Sequence, residues 1–138
     1  MSVGLLLITH NRLGDELLGT ATTTFAHCPL NAAVVRVSDS CDPDAMFAEA
    51  SRKRAEVDSG DGVLVLTDVF GSTPSNIASR LRDTPQTIVV TGVNLPMMIR
   101  ALNYCQLNLI ELAQKAVSGG RENIFMFGHE AETPDHSD

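Results

Sequence analysis

Three stretches carry residue types that could do chemistry: His10, Asp68 and the run Gly71-Ser72-Thr73-Pro74. A carboxylate bonded to one ring nitrogen of a histidine fixes the tautomer and leaves the other nitrogen free and more nucleophilic. With an ordinary pKa of ~6.5, such an imidazole is largely available near neutrality. Gly71, Ser72 and Thr73 lead into a helix at Pro74. Exposed backbone N–H groups and hydroxyls at a helix start favour an anion such as phosphate. Together these groups could hold a phosphohistidine. Taken singly, each has a plainer reading. His10 could cap a helix or bond a loop carbonyl, Asp68 could serve as a turn or N-cap aspartate, and the Gly71–Pro74 run could be a simple helix cap.

The elements that must position these residues follow from the hydrophobic pattern. Val3–Ile8 is a short continuous apolar run ended by Thr9-His10-Asn11, which fits a strand buried on both faces. Leu13, Leu17, Leu18, Ala21 and Phe25 then recur at helical spacing, with Asp15 and Glu16 in the first turn. Ala32–Val37 is a second strand. Asp42-Pro43 reads as an N-cap with proline at the first helical position, opening a helix to about Val57 that Ser59–Gly62 breaks. Val63–Leu66 is the third strand and runs into Thr67-Asp68. A short helix with Ile77, Ala78 and Leu81 follows, then a fourth strand at Thr87–Val90. Thr91-Gly92-Val93-Asn94-Leu95 leads to Pro96 and a helix carrying the core residues Met97, Met98, Ile99 and Leu102. The last helix has Leu109, Leu112, Ala113, Ala116 and Val117 on one face. Asn108 and Glu111 suit a capping box at its start, and Gly119-Gly120 suits its end. Asn123–Phe127 is a candidate fifth strand.

Strands alternating with helices predict a three-layer α/β fold with a mainly parallel sheet. Such a sheet places its ligand site at the C-terminal strand ends, where the strand order reverses. His10 and Asp68 both stand at such ends. They lie side by side if the first and third strands are neighbours.

Composition narrows the chemistry. The 138 residues suit a single domain, and the 43% apolar content is ordinary for a globular core. The net charge is −7, so a nucleic-acid partner is not expected, because phosphate neutralisation needs a basic face. Four of those charges, Glu130, Glu132, Asp135 and Asp138, fall in the base-free tail 128–138. That tail is expected to be mobile, and the body 1–127 to form the domain. Cys28, Cys41 and Cys105 make an odd count without a CxxC pair, which suits three thiols in a reducing cytoplasm. No apolar run approaches the roughly 20 residues of a membrane span, and the N-terminus lacks a basic n-region. A metal site would need a third ligand, and His27, His129 and His136 lie in a loop or the tail. GxGxxG and GxxxxGK[ST] are both absent. A hydrolase using Ser72 with His10 and Asp68 lacks the GxSxG elbow. No metal and no cofactor is expected.

Three ordered motifs resemble one family. Leu6-Leu7-Ile8-Thr9-His10 with Leu13-Gly14 resembles the active-site strand of the enzyme IIA domains of the mannose-type sugar phosphotransferase system. Gly62–Asp68 with Phe70-Gly71-Ser72-Thr73-Pro74-Ser75-Asn76 is similar to their second signature, and Val90–Met97 to their third. The resemblance covers about residues 1–127. It implies a phosphocarrier whose His10 takes a phosphoryl group from the histidine phosphocarrier protein and passes it to a IIB component. It implies that Asp68 orients His10 and that Gly71, Ser72 and Thr73 surround the phosphoryl group. It also implies a sheet of order 2-1-3-4 and a homodimer that exchanges a last antiparallel strand, here Asn123–Phe127. Asn11 stands where the family usually has Gly, and Gly71-Ser72 where it usually has Gly-Gly. No IIB domain follows within these residues. The alternative is a regulatory module whose phosphorylation changes partner binding without sugar transport.

Overall fold

In the computed structural model, residues 2–24 and 30–129 are described. The strands are β1 (Gly4–His10), β2 (Ala32–Val37), β3 (Val63–Thr67) and β4 (Thr87–Val90). The helices are α1 (Leu13–Thr24), α2 (Pro43–Val57), α3 (Thr73–Arg80), α4 (Leu95–Leu102) and α5 (Leu109–Glu122), with a 3₁₀ turn at Leu81–Asp83. The sheet is parallel, in the order β2-β1-β3-β4, as the family resemblance implied.

The sequence explains this layering. Leu5, Leu6, Leu7 and Ile8 of β1 are all fully buried, because both faces of a parallel sheet carry helices. Side chains alternate across the sheet. Leu5 and Leu7 join Leu64, Leu66, Met97, Met98 and Leu112 on the face of α4 and α5. Leu6 and Ile8 join Val63, Val65, Ile77 and Ala78 on the face of α2 and α3. Local signals placed the helix starts. Asp42 caps α2 by accepting from the Asp44 N–H, and Asn108 and Glu111 form the expected capping box on α5.

Two expectations need correction, and others fall outside the described residues. Helix α5 does not stop at Gly119-Gly120 but continues to Glu122. Those glycines serve close helix packing instead. A Cβ on Gly119 would lie 2.6 Å from Arg100 Cβ, and one on Gly120 would lie 2.9 Å from Met97 Cε. The four-stranded sheet of the described residues does not include Asn123–Phe127, whose expected pairing is with a second subunit. Cys105 is disulfide-bonded, whereas Cys41 is free. Spacing along the chain does not limit which cysteines meet in space. The expectations for Phe25, His27, Cys28 and residues 130–138 lie outside the described residues.

Periodicity also missed one buried charge. Arg54 sits on the inner face of α2 with only 8% of its side chain exposed. Its Nε donates to Thr87 Oγ1 at 2.8 Å, its Nη1 to Asp58 Oδ2 at 3.0 Å, and its Nη2 to the carbonyls of Pro85 and Gln86. The guanidinium thus ties the end of α2 to the entry of β4. Arg54→Met keeps the stem and deletes the donors. It is expected to lower stability by about 2 kcal/mol, since these acceptors lose their partners. Chemical denaturation checks this, and an unchanged midpoint would show the knot to be energetically neutral.

Candidate functional site

Strand β1 ends at the surface because Asn11 adopts φ 47, a left-handed turn that Asn tolerates better than most residues. The Asn11 N–H donates to Val37 O at 3.0 Å, which holds this turn against β2. Thr9 points inward, and its Oγ1 accepts from the Gly14 N–H at 2.7 Å, tying the strand to the start of α1. Between them His10 is left at the strand tip with 39% of its side chain exposed.

Asp68 follows β3 directly, and the β1–β3 pairing sets it beside His10. Its Oδ2 accepts from the His10 backbone N–H at 3.0 Å and lies 2.8 Å from His10 Nδ1. Its Oδ1 accepts from the Val69 N–H at 2.9 Å. A buried carboxylate is an acceptor, so Nδ1 carries the ring proton and Nε2 keeps its lone pair. Burial pushes the Asp68 carboxyl up, but the donors from the His10 backbone, the His10 ring and Val69 outweigh it. They hold the carboxyl below the ordinary carboxylate range.

A pH dependence follows. The unfolded chain binds the Asp68 proton at a higher pH than the folded chain does. The pairing therefore contributes its full stability above the ordinary carboxylate pKa of ~3.9 and loses it as pH falls through the lower folded value. The stability gap between wild type and Asp68→Asn is expected to be constant near neutrality and to shrink below about pH 4. Urea melts across that range measure it, and a gap that widened on acidification would contradict the assignment.

The segment after Asp68 is a tight turn. Ser72 N–H and Ser72 Oγ both donate to Val69 O, at 3.1 Å and 2.6 Å. Gly71 sits at φ +87, which a side chain would strain. Its N–H donates to the buried Ser75 Oγ at 3.3 Å. Ser72 occupies the N-cap position of α3 without a side-chain cap. The N–H groups of Thr73 and Ser75, in the first turn, therefore have no intrahelical acceptor. The structure thus brings His10 and Asp68 into contact and sets Gly71, Ser72 and Thr73 at the start of α3. The Ser72 hydroxyl is turned to Val69 O, away from the arrangement a hydrolase would need. Among the described residues no three His, Cys, Asp or Glu side chains converge as metal ligands.

The third motif supports the site from beneath. The Gly92 N–H donates to Asp68 O at 2.7 Å, and the Val93 N–H to Thr67 O at 3.0 Å. Asn94 then caps α4 through the Met97 N–H and donates to Gly120 O. Hydrophobic patterning gave no sign that Val69 and Phe70 stand out from the surface, 60% and 81% exposed. An aromatic residue within a turn next to Asp68 was the available signal.

Comparison with known proteins places the chain in a family and a fold. A sequence model of the family described as PTS system fructose IIA component matches residues 4–117. The chain is 28% identical over 127 residues to the PTS system mannose-specific EIIAB component of Escherichia coli K12. That match covers 90% of this chain and 39% of the relative, so the chain spans about two-fifths of such relatives. The mannose/sorbose specific IIA subunit of the phosphotransferase system from Enterococcus faecalis superimposes with a TM-score of 0.79 at 29% identity. That match covers 96% of this chain and all of the other. The phosphotransferase system component EIIA from Streptococcus agalactiae has a TM-score of 0.77 at 20% identity, covering 88% of this chain and 95% of its own, a likeness of fold.

Proposed function

The chain belongs to the PTS system fructose IIA component family, and on that premise we propose that it is a cytoplasmic phosphocarrier working through phospho-His10. The observation that carries the proposal is the 2.8 Å contact between His10 Nδ1 and Asp68 Oδ2 at an exposed strand tip. With Nδ1 protonated, Nε2 is the free nucleophile. It attacks the phosphorus of a phosphohistidine on the histidine phosphocarrier protein. The Nε2–P bond forms as the donor's N–P bond breaks, and the donor imidazole takes the electron pair. Asp68 stabilises the positive charge that develops on the His10 ring. A IIB component then accepts the group by the reverse displacement. Positioning and charge stabilisation dominate such transfers. Gly71, Ser72 and Thr73 form the cradle in this reading, with the first-turn amides of α3 as the natural donors to phosphoryl oxygens.

The test incubates the protein with phosphoenolpyruvate, enzyme I and the histidine phosphocarrier protein. Acid-labile, base-stable phosphate on the wild type is expected. No incorporation would defeat the reading.

Transfer between two histidines needs the partner to dock on the rim of the site. Leu13, Val69 and Phe70 stand exposed there, on the segments that follow His10 and Asp68. Phe70→Ala is expected to lower kcat/KM for the phosphocarrier about tenfold, as loss of an aromatic anchor does, while the melting temperature stays unchanged. Steady-state transfer at varied donor concentration measures this. An unaltered KM and rate would move the docking surface elsewhere.

The proposal includes a homodimer in which the segment Asn123–Phe127 adds to the partner's sheet. Its support is twofold. Ile124, Met126 and Phe127 are more than half exposed, an apolar run that water disfavours. Among the described residues, strand β4 stands at an edge of the sheet.

A further inference from the structure

Thr67 is the last residue of β3 and directly precedes Asp68. Its side chain is fully buried, and among the described residues its Oγ1 is the buried side-chain atom that lacks a hydrogen-bond partner. Alternation places it on the face of Val63 and Val65, which Ile77 and Ala78 of α3 cover. In the chain it immediately precedes the segment that joins Asp68 to the first turn of α3. Thr9 on the neighbouring strand shows what a purely structural threonine does here, since its Oγ1 is bonded to the Gly14 N–H.

A buried hydroxyl with no partner disfavours the fold, and a valine of the same shape would carry no such penalty. The resting protein therefore gains nothing from this oxygen. In the phosphocarrier reading, the segment that follows Asp68 is the cradle of the phosphoryl group on His10. In the resting state Val69 O accepts both the N–H and the hydroxyl of Ser72. A phosphoryl group brings strong anionic acceptors that compete for those two donors. Once they turn to it, Val69 O is left without them, close in sequence to the unpaired Thr67 hydroxyl.

We propose that Thr67 is a positioning residue whose hydroxyl donates to the Val69 carbonyl in the phosphorylated protein and so holds the 69–72 turn closed over phospho-His10. The proposal rests on the phosphocarrier reading. It assigns Thr67 no contact with the phosphoryl group. Its effect is to keep the cradle formed and water out.

The test compares wild type, Thr67→Val and Thr67→Ser, each melted before and after phosphorylation by the same phosphocarrier preparation. The rate of spontaneous phosphohistidine hydrolysis is followed for all three. Unphosphorylated Thr67→Val is expected to melt at or above the wild type. Its phosphohistidine is expected to hydrolyse about fivefold faster, the factor of one hydrogen bond. Its melting temperature should also change less on phosphorylation, and Thr67→Ser should behave as wild type. Equal hydrolysis and an equal phosphorylation shift in Thr67→Val overturn the proposal alone. So does a Thr67→Val protein that melts below wild type before phosphorylation, because the hydroxyl is then paired in the resting fold. A wild type that takes up no phosphate overturns the phosphocarrier reading, and this inference with it.

Discussion

His10→Gln is expected to abolish phosphoryl uptake while leaving the fold intact. The side chain is 39% exposed at the tip of β1 and belongs to neither core cluster. Glutamine has no ring nitrogen and cannot form the Nε2–P bond, so the loss should be complete rather than graded. His27, His129 and His136 remain in the variant. The comparison therefore also tests whether any other histidine accepts the group. The measurement is incorporation of labelled phosphate from phosphoenolpyruvate through the phosphocarrier, beside a thermal melt. Acid-labile label persisting on a well-folded His10→Gln protein would place the site elsewhere.

Asp68→Asn is expected to slow transfer about 100-fold, the scale typical of a lost orienting carboxylate. Three donors converge on this carboxylate: the His10 backbone N–H, the His10 ring and the Val69 N–H. Asparagine offers one acceptor oxygen in place of two. If that oxygen faces His10, the amide NH₂ meets the Val69 N–H and a bond is lost. If the amide flips, its NH₂ meets the His10 backbone N–H and donates to Nδ1. The ring proton then moves to Nε2, the nitrogen that must attack. Both orientations also remove the negative charge that stabilises the developing imidazolium. Quenched-flow transfer from the labelled phosphocarrier measures the rate. A variant within threefold of the wild type, on the scale of ordinary surface substitutions, would reduce Asp68 to a structural turn residue.

Much of this molecule was legible before folding was considered. The continuous apolar runs at 3–8 and 63–66 fit strands buried on two faces. Asp42-Pro43 and Asn108 with Glu111 marked helix starts because capping depends on neighbouring residues alone. Where reading failed, the cause was a contact distant in sequence. Gly119-Gly120 has the composition of a helix end, yet Met97 and Arg100 press against it from α4. Arg54 looks like a surface charge until the acceptors of Pro85, Gln86 and Thr87 come into view.

By itself, then, the sequence determined the alternation of strands and helices, and it set His10 and Asp68 at the ends of two of those strands. Local physics suffices for that, because periodicity, caps and turns act over a few residues. Only the tertiary structure decided that the two residues meet. Placing β1 against β3 crosses 58 positions of chain and sets one carboxylate oxygen against both the backbone and the ring of His10. The tautomer, the free Nε2 and the depressed Asp68 carboxyl all follow from that contact. Tertiary packing likewise decides that, among the described residues, the buried Thr67 hydroxyl has no hydrogen-bond partner.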